Sequence, residues 1–182
     1  FKKIFKKIKI LDALLGIFLI FVGAVSRLVF HPPNFSPISA IALFSGAYLP
    51  KGIALLVPLA AMLISDAFLG FYQLALMATV YGSFLFCTLI GFWLKNRRKW
   101  YFIFGSSLFC SISFFIITNF GFWAFTDFYP KTFKGLVECY IMALPFFKNT
   151  LGGDLFYVFL FFGSYELIKA LIPGRAIFWQ RI

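Results

Sequence analysis

The residues able to do chemistry are few and fall at particular places in the chain. Arg27 closes the first long apolar run, and His31, Asn34 and Ser36 follow it in HPPNFSP. Asp66 lies one turn from the end of the third apolar run, just before Tyr72; Asn119 and Trp123 lie near the end of the fifth, and Lys148, Asn149 and Asp154 open the last. These groups offer hydrogen bonds and charge. They do not compose an enzyme: GxSxG, HExxH and Walker patterns are absent, and the chain has one histidine, so no catalytic residue, cofactor or metal site is expected. Cys87, Cys110 and Cys139 sit inside apolar segments without metal-ligand spacing and read as small buried hydrophobes.

Composition fixes what must position these groups. Of 182 residues, 62% are hydrophobic and only 13% charged, with mean hydropathy +0.94. A soluble domain carries about a quarter charged residues. This chain needs an apolar solvent, and a bilayer supplies it. The expected fold is a single integral membrane domain over residues 1–182, all-α, with six transmembrane helices plus one short re-entrant or interfacial helix.

Apolar runs separated by turn signals place the helices at about Leu11–Phe30, Ile38–Leu49, Ile53–Leu69, Gln73–Leu94, Trp100–Phe120 or slightly beyond, and Thr150–Ile172. HPPNFSP, PKG, GFY, KNRRK and TDFYPKTFK punctuate them. Gly135–Phe147 is apolar, only about thirteen residues long and contains Pro145, so it reads as the short re-entrant or interfacial segment. The chain opens at Phe1 rather than Met, which points to residues upstream; the run after FKKIFKKIKI is too long for a signal-peptide core and reads as a retained first helix.

The net charge of +11 sits at the ends of apolar runs, so it sets topology and does not call for nucleic acid. With six spans and the N-terminus inside, 13 of the 17 basic residues fall on the inner side, while Arg27, Lys131, Lys134 and Lys148 fall outside. Both termini are therefore expected in the cytoplasm, in a bacterial inner membrane. The polar groups named above then converge at the outer ends of the helices. An ionisable group below the membrane surface is costly and normally faces a partner or a watery cavity.

Each residue also has a plainer reading. Arg27 and Asp66 can form a structural ion pair, Asp154 can favour a helix dipole, Asn34 can cap the second helix, His31 can be a solvated loop residue and Trp123 an interfacial aromatic. Glu166 and Lys169 form an i,i+3 pair.

HPPNFSPISAIALFSGAYLPKGIALLVPLAAMLISDAFLGFY, together with ITNFGFW, YPKT and ALPFFKNTLGGDLFY, resembles a family of small, functionally uncharacterised bacterial membrane proteins across about Pro32 to Tyr157. That family in turn looks like the S components of energy-coupling-factor transporters. The resemblance implies six helices, both ends in the cytoplasm, an outer pocket for a vitamin or metal, and a coupling membrane subunit with ATPases as partners. S components often show an Ala-x-x-x-Ala face on the first helix; here Ala13, Gly16, Gly23 and Ala24 form no such repeat.

The expected function is thus capture of a small solute at the outer side for transport. Arg27, His31, Asn34, Asp66, Tyr72, Asn119, Trp123 and Asp154 would be the binding residues, with Phe35 and Phe120 as further walls and the HPPNFSP loop as closure. Membrane lipids and that solute are the expected partners. The alternative is a structural accessory subunit of a larger membrane complex, its polar groups contacting other membrane subunits, lipids or pigments.

Overall fold

The computed structural model describes residues 2–29 and 32–171, with side chains from residue 10 onward. Among the described residues there are six helices and no strand: α1 (Lys2–Leu28), α2 (Ile38–Tyr48), α3 (Lys51–Leu69), α4 (Leu74–Leu94), α5 (Trp100–Phe125) and α6 (Phe133–Leu171). Five of them are long and apolar enough to cross a membrane; α2 is shorter. Large apolar side chains such as Phe18, Phe21, Leu56, Phe68, Phe109 and Phe159 face outward, the arrangement expected where lipid replaces water. The basic tail with Arg175 and Arg181 lies outside the described residues.

The short helix is the centre. Every residue of α2 is buried. It packs chiefly on α4, and also on α3, α6 and α5. Small residues permit the approach. A methyl group on Gly46 would lie 2.3 Å from the Thr88 carbonyl oxygen, and one on Gly91 would lie 2.4 Å from the Leu43 carbonyl oxygen, so the α2 and α4 backbones touch. Aromatic rings fill the opposite side: Phe44 and Tyr48 lie against Phe162 and Tyr165 of α6. The Pro50 turn brings α3 back along α2, and α1 packs on α3 with Gly16 against Ile53 and Gly23 against Ala61.

Two prolines lie inside helices, where each removes a backbone N–H. Pro58 in α3 leaves the Ala54 carbonyl without its helical donor, and Ser45 Oγ of α2 stands 3.1 Å from that oxygen. Pro145 lies inside α6 and does not end it. Here the structure corrects the sequence reading. Gly135–Phe147 is not a separate re-entrant or interfacial helix; it is the first part of a helix 39 residues long, about 58 Å at 1.5 Å per residue. The cause is lateral packing on α5: Tyr140 Oη donates to the Ile116 carbonyl at 2.8 Å, and the Phe147 ring lies tilted against Phe115 with ring centroids 4.7 Å apart. Gly135 lets the helix start pass close over Pro130, whose carbonyl oxygen would lie 2.1 Å from an added methyl.

The ends of the bundle are marked by contacts. Arg98, after α4, donates to the Ala47 carbonyl at 3.0 Å and lies over the Tyr48 ring, while Tyr48 Oη donates to Glu166 at 3.2 Å. Glu166 also pairs with Lys169 at 3.3 Å, as the i,i+3 spacing predicts. The end of α2 thus meets the ends of α4 and α6. At the opposite end Arg27 of α1 meets Asp66 of α3. The 32–37 segment and α2 together therefore run from one end of the bundle to the other.

Candidate functional site

The turn before α2 is built by its sequence. Phe35 N–H donates to the Pro32 carbonyl at 3.0 Å, with Pro33 second in the turn and Asn34 third, at φ 64°. Proline favours that second position, and the third requires a positive φ, which asparagine tolerates. Asn34 is accordingly a turn residue and not the cap of α2. Pro37 occupies the cap position, and the Ser36 hydroxyl accepts a hydrogen bond from Ile38 N–H at 3.4 Å.

Helix α6 holds this turn in place. Asn149 Nδ2 donates to the Pro33 carbonyl at 3.0 Å. Gly153 leaves room for the loop: a methyl there would stand 3.2 Å from Phe35 Cα. The Phe35 ring packs on Phe156 and Tyr157, so it serves the loop's seat on α6 rather than a ligand wall.

Beneath the turn lies a cavity of about 310 Å³. Its polar lining comes from Arg27 of α1, Asn34 and Ser36 of the turn, Ser39 of α2, Tyr72 of the α3–α4 loop, and Thr150 and Asp154 of α6. Ile38, Met62, Leu69, Val80, Phe84 and Phe114 complete the wall with apolar surface. Phe84 and Phe114 stack at 5.1 Å.

Arg27 and Asp66 are an ion pair at 2.6 Å, with Asp66 almost wholly buried. Nη1 of Arg27 also donates to the Ser65 hydroxyl and, at 3.4 Å, to the Met62 carbonyl. Tyr81 Oη donates to the second oxygen of Asp66 at 2.7 Å. Asp66 therefore stands behind Arg27 and is not itself among the lining residues. The structure brings the pairing reading and the cavity together in Arg27, which reaches from one to the other. Tyr72, beside this pair, has its phenol pKa raised above the ordinary range, first by burial and then by the Asp66 charge, with Arg27 opposing; it enters the cavity as a proton-bearing hydroxyl.

Asp154 is differently placed. It is 2% exposed and has no cation beside it among the described residues. The Ser111 hydroxyl of α5 lies 2.6 Å from its Oδ2, and Ser39 of α2 offers a second hydroxyl beside the carboxyl.

The sequence model of one protein family matches the chain from residue 8 to residue 175 and so spans nearly all of the elements described. The chain belongs to DUF6580, a family of unknown function. No curated protein and no solved structure matches the DUF6580 chain.

Other expected site residues fall elsewhere. Asn119 lines a smaller neighbouring cavity of about 90 Å³ with Thr118, Phe146 and Phe147, and donates to the Phe115 carbonyl of its own helix at 2.8 Å. Asn34, Phe114 and Thr150 line both spaces. Trp123 Nε1 donates to the Pro130 carbonyl at 2.9 Å, and the ring ties down the 126–132 loop. Phe120 is exposed and packs on Trp123, so neither ring is a cavity wall. His31 lies outside the described residues. Sequence reasoning passed over Ser39, Tyr81, Ser111 and Thr150. The serines had a signal: Ser107 and Ser111 share one face of α5 at i,i+4, and Ser39 stands in an otherwise apolar stretch.

Proposed function

We propose that this DUF6580 protein is the solute-binding component of a membrane transport system, of the kind to which S components belong. One observation carries the reading: an irregular segment, Pro32–Pro37, lies over a cavity lined by both charged and aromatic groups. Non-helical backbone at membrane depth is tolerated where it is enclosed by protein or faces a wet space. Polar groups converging on a cavity that also has apolar and aromatic walls are a feature of small-molecule sites.

The proposed topology has six crossings, with α2 and its preceding segment making the second, and both termini in the cytoplasm of a bacterium. Lys51, Lys95, Arg97, Arg98, Lys99 and Lys169 gather at the Tyr48 end, which the positive-inside rule assigns to the cytoplasm. Energy would come from a coupling membrane subunit with ATPases or from an ion gradient. Cysteine placed at Asn96 should resist an impermeant maleimide applied to intact cells, and cysteine at Lys131 should react; the reverse would overturn this orientation.

The binding reading is tested by extracting small molecules from the purified protein and identifying them by mass spectrometry. A ligand should accompany the wild type and be lost from Val80→Phe, which fills the cavity, while that variant remains folded. Absence of any co-purifying or saturably bound solute would instead favour the structural accessory subunit.

A further inference from the structure

Resting on that reading, the charges of the cavity indicate what kind of solute it takes. Two ionisable side chains of opposite sign reach the lining, Arg27 and Asp154. Arg27 is neutralised from behind by Asp66. Asp154 has hydroxyl partners only. Those partners are not fully committed to it: Ser111 has one hydroxyl proton and two acceptors, Asp154 Oδ2 at 2.6 Å and the Ser107 carbonyl at 3.0 Å. Arg27 and Asp66 neutralise each other, which leaves the Asp154 carboxyl, 2% exposed, as the acidic group of the lining with no charged partner among the described residues. A buried carboxylate is costly until a partner neutralises it.

The rest of the lining suits a cation with an organic body. Phe84 and Phe114 present aromatic surface, which attracts positive charge as well as apolar groups. Arg27 keeps Nη2 and Nε without partners among the described residues, so the same ligand can offer it an acceptor. A volume of about 310 Å³ corresponds to roughly ten waters at about 30 Å³ each, the scale of a single substituted ring.

We propose that the cavity binds a small organic monocation, with an N–H group of the ligand on Asp154 and its apolar body along Phe84 and Phe114. Two alternatives fit less well: an anion, which the paired Arg27 attracts weakly and an Asp154 carboxylate repels, and a neutral solute, which gains nothing from charge on Asp154.

The test is a charge series on one shape: benzamidine, benzamide and benzoate, measured by isothermal titration calorimetry on the full chain in detergent. Benzamidine should bind at least about tenfold more tightly than benzamide, and benzoate most weakly. In Asp154→Asn, which keeps the shape and removes the charge, the ratio of benzamidine to benzamide should fall to about one. Equal or tighter binding of benzamide or benzoate to the wild type overturns the proposal, whether or not the variant folds. So does a benzamidine preference that persists in folded Asp154→Asn, or no benzamidine binding at millimolar concentration. A neutral or anionic ligand extracted from the wild type and lost from Val80→Phe would refute the cation while leaving the solute-binding reading intact.

Discussion

Adding one methyl group at Gly46 should destabilise the protein by about 2 kcal/mol, and the figure follows from the α2–α4 crossing. The new carbon would lie 2.3 Å from the Thr88 carbonyl oxygen and 2.8 Å from Gly91 Cα. An ordinary contact of carbon with a carbonyl oxygen is about 3.3 Å or more, so the helices must part by about 1 Å. Overpacking of this kind costs about 1–3 kcal/mol, and the upper end applies because both obstacles are backbone and have no rotamer to change. Against it, replacing a glycine inside a helix by alanine returns about 1 kcal/mol. Gly82 of α4 and Gly105 of α5 are the controls, since a methyl at either meets nothing within 4 Å. Gly82→Ala and Gly105→Ala should gain about 0.5–1 kcal/mol. Unfolding by sodium dodecyl sulfate titrated into mild-detergent micelles, followed by circular dichroism, should rank Gly82→Ala above wild type and Gly46→Ala below it. Thr88→Ala should not rescue Gly46→Ala, as the obstructing oxygen is main-chain. A Gly46→Ala protein as stable as wild type would refute the close crossing.

Breaking the Arg27–Asp66 pair by Arg27→Ala or Asp66→Ala should cost about 3–5 kcal/mol in the same titration, whereas Arg27→Met with Asp66→Leu should lie closer to wild type. Ser45→Ala should cost about 1 kcal/mol, and less in a Pro58→Ala background, where Ala54 regains a helical donor; equal losses in both backgrounds would contradict the role given to Ser45. Spin labels at Val137 and Leu160, both exposed, should report a separation of about 35 Å by double electron–electron resonance if α6 is continuous, and a clearly shorter distance if its first part folds back.

Most helix boundaries were legible because the chain punctuates itself: the prolines of HPPN and Pro50 interrupt a helix, the polar KNRRK ends an apolar run, and α2 to α5 begin or end at or beside them. The unity of α6 was not. Pro145 and the polar KNT at residues 148–150 look like a break, and only packing on α5, through Tyr140 and Phe147, keeps the segment helical. The convergence of polar groups at one end was also legible. Their grouping into cavities depends on rotation about helix axes, which spacing alone leaves open when both faces of a helix are apolar. That rotation puts Asp66 behind Arg27 and turns Asn119 into the smaller space. The hydroxyls around Asp154 went unnoticed because serine in a tightly packed helix reads as a small residue before it reads as a donor.

The enclosed position of α2 bears on how the protein is made. Ribosomes deliver helices in chain order, and α2 emerges second, with 11 residues and no lipid-facing surface in the finished bundle. Of its neighbours, α3 follows at once, but α4, the chief one, and α6 are synthesised later, and the glycine contact that seats α2 on α4 requires residue 91. The newborn chain therefore has to shelter a segment too short to settle across the bilayer alone until roughly half the protein exists. Assembly of the centre is consequently a late event, and a stalled chain ending before α4 should be recognised by membrane quality control as unassembled.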